Sequence, residues 1–146
     1  MSRITDIIIR TSNSKATLLI RLMVGVVFLS EGLQKFLFPA IRGAGRFESI
    51  GLPSPELLGY LVATFEVVAG FFVIAGLLTR IASIPLIIIM LVAISTTKTE
   101  ILVQEGFWEM MHASRTDWSM LLGSIFLLIK GGGWLSFDRY YTSKGK

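Results

Sequence analysis

Four long apolar stretches dominate this chain and leave little sequence between them. They are Ala16–Phe38, Leu57–Leu78, Ile81–Thr97 and Trp118–Trp134. Each approaches the roughly 20 helical residues that cross the hydrocarbon core of a bilayer, with Ile81–Thr97 at the short end. The stretches are continuously apolar, whereas the strands of a membrane barrel alternate, so they predict helices. Composition agrees. The chain is 53% hydrophobic and only 16% charged, against about 25% charged in soluble domains, and its mean hydropathy is +0.70. The expected fold class is an all-α integral membrane protein: four transmembrane helices in one membrane domain over residues 1–146. The first stretch is read as a span rather than a signal peptide. It is longer than a signal core, carries Arg21, Glu31 and Lys35, and is followed by no small-residue cleavage site.

Charge placement predicts the topology. Four spans put both termini on one side, which would hold Arg3, Arg10, Lys15, Arg21, Arg80, Lys130, Arg139, Lys144 and Lys146. The other side would hold Lys35, Arg42, Arg46, Lys98 and Arg115, together with the acidic residues Glu48, Glu56, Glu100, Glu105, Glu109 and Asp117. The excess of cations places both termini in the cytoplasm, as a multi-pass protein of the cell inner membrane. The sequence pI of about 9.7 then reflects orientation and contact with anionic lipid. No aromatic-plus-basic pattern points to nucleic acid. Cysteine is absent, which excludes disulfides, thiolate metal sites and cysteine catalysis. His112 is the only histidine, which argues against a bis-histidine haem. With no flavin or nucleotide fingerprint either, no haem, flavin or metal is expected.

Two carboxylates interrupt the apolar runs. Glu66 lies between LVATF and VVAGFF. An ionised carboxylate at the bilayer centre costs at least a few kcal/mol, so such a group is a site hypothesis by default. In the first helix Arg21, Gly25, Phe28, Gly32 and Lys35 are spaced 4, 3, 4 and 3 residues apart, which keeps them on one face. Glycines on that face let a helix or a ligand approach closely. Glu31 and Lys35 are four apart in the favourable order for an ion pair, and Gln34 adds a donor and an acceptor. The plain alternative is an internal salt bridge with Lys35 snorkelling to the outer interface. In the second helix Gly59, Ala63, Glu66 and Gly70 form a small-residue stripe. Glu31 lies about 6 Å outward of its helix midpoint at 1.5 Å per residue, and Glu66 slightly outward of its own. Antiparallel neighbours would therefore bring them to similar depth. Two acids close together in a low dielectric cannot both ionise cheaply, which marks a candidate proton-transfer pair. The bland reading is that Glu66 is neutral, or paired with a cation such as Arg115.

Between the third and fourth helices, Lys98–Thr116 mixes apolar residues with Glu100, Gln104, Glu105 and Glu109. It reads as an amphipathic or re-entrant outer segment. Its end brings His112, Arg115 and Asp117 together, either as the polar lid of a cavity reaching Glu31, Lys35 and Glu66, or with Asp117 simply at a helix N-terminus. Pro85 sits where a helix tolerates it. Arg80 reads as a positive-inside anchor. Three glycines, Gly131 to Gly133, should stop the fourth helix.

Ordered blocks over about residues 18–139 resemble the DoxX family of small bacterial membrane proteins. They are R-L-x-x-G-x-x-F-x-x-x-G-x-x-K (Arg21 to Lys35), G-L-P at Gly51, F-E-x-x-x-G (Phe65 to Gly70) and G-L-L-T-R (Gly76 to Arg80), followed by E-G-F-W-x-M-x-H (Glu105 to His112), R-T-D, L-L-G-S and S-F-D. Lys130 and the triple glycine depart from the apolar run expected there. The resemblance implies four transmembrane helices. It also implies a link to redox metabolism, since members are associated with thiosulfate:quinone oxidoreductase, with quinone or catechol stress and with oxidative-stress membrane complexes. It places Arg21, Gly25, Gly32, Lys35, Glu66, His112, Arg115 and Asp117 at the family's polar and glycine positions. The expected function is a quinone-linked or redox-stress-associated oxidoreductase subunit. Glu66 or Glu31 would relay a proton, while Lys35, Gln34 or His112 would bond a quinone oxygen. Phe28, Phe65 and Trp108 would line the slot, Arg115 and Asp117 would complete the site, and Arg21, Gly25, Gly32 and Gly70 would pack the helices. Quinone is the one cofactor suggested. Electrons would have to come from a partner redox subunit or the substrate, and a homo-oligomer is the other expected assembly. A small-solute or proton carrier, and a membrane scaffold for a soluble redox enzyme, are the alternatives.

Overall fold

The computed structural model describes Ile9 and residues 11–144. It is helical, with no strand among the described residues. Arg3, Arg10 and Lys146, used above in the charge count, lie outside the described residues. Helix α1 (Ala16–Leu37) ends where Phe38 leaves helical geometry, because Pro39 disfavours the α conformation in the residue before it. A short helix α2 (Ala44–Ser49) follows. Helix α3 (Pro55–Ala75) starts with proline at its first position, where the missing N–H costs nothing. It stops at Gly76, whose φ of 69° suits the glycine that closes a helix.

Helix α4 (Thr79–Ala93) does not end where the apolar run ends. A π-helical turn, Ile94–Lys98, carries it into α5 (Thr99–Glu105), giving a helical stretch of 27 residues from Thr79 to Glu105. The hydroxyls of Ser95, Thr96 and Thr99 donate back to carbonyls three or four residues earlier, which widens the turn without leaving them unpaired. Gly106 at φ 93° breaks the stretch, and α6 (Phe107–Ala113) follows. Helix α7 spans Arg115–Lys130, starting and ending before the expected 118–134 because Ser114 opens it and Gly131 stops it. Helix α8 (Phe137–Lys144) closes the described chain.

Three helical stretches are long and apolar enough to cross a membrane: Ala16–Leu37, Pro55–Ala75 and Thr79–Glu105. Helix α7 has 16 residues and packs along α4, while α1 packs along α3. The core takes residues from all four: Val24 and Phe28, Ala69 and Val73, Ala82 and Leu86, Met120 and Leu127. Leu19, Val26, Val68, Phe71, Ile84, Leu91, Leu122 and Ile129 point outward and are exposed. So broad an apolar surface is a lipid-facing surface.

The α1–α3 crossing is tight. A methyl group on Gly70 would lie 2.8 Å from the Leu29 nitrogen, and one on Gly32 would lie 2.8 Å from the Ala63 carbonyl oxygen. Gly59 does not share this contact; it faces Gly43 and Ala44, seating α2 on the start of α3.

The opposite end of the bundle is tied by two buried charged residues. Arg21 donates to the carbonyls of Val73, Ile74, Gly132 and Leu135. It thereby joins α1 to the end of α3 and to the glycine turn. Asp138 accepts from the Leu78 and Thr79 amides at 2.7 and 3.0 Å, capping α4 from 59 or more residues away. That contact holds Leu78 at a left-handed φ of 46°, a conformation that otherwise costs about 1–2 kcal/mol. Arg80, read above as an anchor, donates to the Leu128 and Ile129 carbonyls and so caps the end of α7.

Candidate functional site

At the end of the bundle away from Arg21, the helices splay around a cavity of about 810 Å3. Its volume falls within the range of small-molecule sites. Four long helices supply most of the wall: Phe28, Glu31 and Lys35 from α1, Leu61, Phe65 and Glu66 from α3, Pro85, Ile88 and Val92 from α4, and Thr116, Asp117 and Met120 from α7. The remaining side is the segment between α1 and α3, through Ile41, Arg42, Arg46, Phe47, Ile50 and Leu52. Apolar side chains dominate, so charged groups on this wall act in a poorly screened setting.

One ammonium is shared by two carboxylates. Lys35 Nζ lies 2.7 Å from Glu66 Oε2 and 3.8 Å from Glu31 Oε2. The Glu66 side chain is 3% exposed, Lys35 11% and Glu31 43%. A graded path therefore leads from the buried Glu66 through Lys35 to the open Glu31. Gly32 makes this possible, because a methyl group there would lie 2.9 Å from Glu66 Cβ. The cation that pairs with Glu66 is Lys35; Arg115 is exposed and donates instead to the His112 carbonyl at 2.7 Å.

A second pair reaches the cavity wall through Asp117. Lys98 Nζ sits 3.2 Å from Asp117 Oδ2 and 3.0 Å from the Ala113 carbonyl oxygen. It joins the π turn of α4 to the start of α7. Asp117 is thus both in the first turn of its helix and on the cavity wall.

The cavity brings together Glu31, Lys35, Glu66, Asp117, Phe28 and Phe65. It does not include Gln34, which donates to Ser30 at 3.0 Å, nor His112, Arg115 or Trp108, the last 83% exposed. Helix α6 carries His112 and Trp108 away from the wall, since the helix before it continues past the apolar run; the cover comes from the segment around α2 instead. Sequence reasoning passed over Arg42, Arg46 and the partner of Asp117. A usable signal existed for the last: Lys98 follows one apolar run and Asp117 precedes the next, so antiparallel packing of the two runs would bring them close. Gly25 and Gly70 meet each other, and Arg21 lies in the far-end knot, so these residues serve packing.

A family model described as DoxX matches residues 16–99. The uncharacterized membrane protein Rv3486 of Mycobacterium tuberculosis is 51% identical over 131 residues, covering 86% of this chain and 80% of that protein. A Bacillus subtilis protein named "Putative oxidoreductase CatD" is 34% identical over 131 residues, covering 89% of each. No solved structure matches.

Proposed function

Because the chain belongs to the DoxX family, we propose that it is the quinone-linked membrane subunit of a redox system, holding a quinone- or catechol-type ring in the cavity. One observation carries this reading: an ammonium group, Lys35, is held by a buried carboxylate on the wall of an otherwise apolar cavity. Phe65 offers flat apolar surface to a ring, and Phe28 packs behind the wall. Lys35 offers a donor to a ring oxygen. Glu66 and Glu31, on either side of Lys35, are the groups that pass a proton between the cavity and the outer surface. A quinone, when bound, would supply two-electron, two-proton chemistry. The chain has no cysteine, and we assign the electron source to a partner subunit or to the reductant. The name of the Bacillus relative is consistent with a redox role.

We place four spans in the inner membrane, with α7 as the fourth, both termini in the cytoplasm and the cavity toward the outer leaflet. The core cluster and the buried Arg21–Asp138 knot fill the other half of the bundle. That packing favours a binding site over a continuous path for a solute.

The test is quinone content and quinone titration of the protein purified in mild detergent, wild type against Glu66→Gln. Stoichiometric quinone in the wild type, with at least tenfold weaker binding in a variant that still melts cooperatively, is the expected result. Absence of saturable quinone binding to the wild type would overturn the redox reading.

A further inference from the structure

We infer that the cavity selects molecules carrying an oxyanion (carboxylate, sulfonate or phosphate) on an apolar body, with Arg42 and Arg46 receiving the charged group. The inference rests on the cavity being a ligand site, as proposed above. It does not require the ligand to be a quinone.

Lys35, on the cavity wall, is matched by Glu66 and Glu31, and Lys98, just beyond the wall, by the cavity-lining Asp117. Arg42 and Arg46 also line the cavity, yet neither guanidinium makes an ion pair or hydrogen bond to any described residue. Both residues are exposed, and both lie in the segment that covers the cavity between α1 and α3. The acids on the wall are therefore already engaged, and the unmatched charge is positive. Guanidinium groups carry planar sets of donors that suit carboxylate and phosphate oxygens. A ligand with an apolar body in the cavity and an anionic group at Arg42 and Arg46 would pair both guanidiniums and leave the Lys35 and Lys98 ion pairs in place. A neutral body leaves both arginines unmatched.

Soluble ring probes separate this inference from the redox reading. Binding of 1,4-naphthoquinone, 1,4-naphthoquinone-2-sulfonate and naphthalene-2-sulfonate would be measured by calorimetry in uncharged detergent. The proteins are the wild type, the double variant Arg42→Gln/Arg46→Gln, and Arg115→Gln, which removes a charge at the same end but outside the cavity. We expect the wild type to bind the sulfonated quinone about tenfold or more tightly than the neutral one, as for charge-assisted bonds. The double variant should lose that preference while retaining the neutral quinone. Arg115→Gln should keep the preference, and added salt should shrink it. If both sulfonates bind equally through the arginines and the neutral quinone does not bind, the anion inference stands and the quinone reading fails. Displacement of the sulfonate by phosphatidylglycerol but not phosphatidylcholine, lost in the double variant, would support the inference with a net anionic lipid headgroup as the ligand. Equal binding of charged and neutral quinones by the wild type, or a preference that survives in the double variant, overturns the inference.

Discussion

Lys35 holds a position that a hydrophobic residue would fill in most membrane helices, and its removal is not equivalent to removal of its partner. Lys35→Met leaves Glu66, 3% exposed, as a buried carboxylate with no cation. Glu66→Leu leaves Lys35 beside Glu31. Breaking a buried pair by deleting one member typically costs about 3–5 kcal/mol, whereas replacing both by apolar groups is often neutral. Thermal unfolding in detergent should therefore rank Lys35→Met as the most destabilised, by about 3 kcal/mol. Glu66→Leu should fall between it and the wild type, and the double variant should lie near the wild type. Additive losses in the double variant would show that the pair has no coupling. Glu66 was legible from sequence because a carboxylate inside LVATFEVVAGFF has no cheap explanation. Its partner was not, because Lys35 and Arg115 both fit the pattern and only the packing of α1 on α3 separates them.

Helix contacts turn on small residues whose spacing is visible but whose targets are not. Gly25, Gly32 and Gly70 stood out as small positions on helix faces, and in the fold they sit at the α1–α3 crossing. Gly59 belonged to the same stripe on paper, yet seats α2 instead. Gly70→Ala places a methyl group 2.8 Å from the Leu29 nitrogen, and backbone cannot swing aside as a side chain can. We expect a loss of about 1–3 kcal/mol from overpacking, read as a lower melting temperature together with weaker quinone binding as the helices part. Gly51→Ala meets nothing within 4 Å but sits at φ 72°. It should lose only about 1 kcal/mol from left-handed strain and leave binding unchanged. Equal effects of the two changes would refute the close-crossing account.

At the scale of the whole molecule the two ends differ in kind. One is sealed by backbone hydrogen bonds to Arg21 and Asp138; the other is an apolar cavity with charged groups on its rim. The asymmetry matches the proposed orientation, in which the sealed end faces the cytoplasm. Because the chain has no cysteine, single cysteines report the topology directly. Ser49→Cys in α2 and Ser143→Cys in α8 replace exposed residues. A membrane-impermeant maleimide should label position 49 in intact spheroplasts and position 143 only after lysis. Labelling of both from outside would rule out the even number of spans.

The membrane class, the helical architecture, the candidate acids and the DoxX resemblance are all carried by local pattern. Run length, composition and periodicity act within a single helix and survive without tertiary contacts. Four features came only with the tertiary structure: the Lys35–Glu66 pairing, the Lys98–Asp117 link, the capping of α4 by Asp138, and the choice of the α2 segment rather than α5 and α6 as the cavity wall. Each joins residues 15 or more positions apart. No helical period connects such residues, and their meeting depends on how closely two backbones pass. For Lys35 and Glu66 that distance is set by Gly32, Gly70 and their neighbours acting together, and not by any one stretch of sequence.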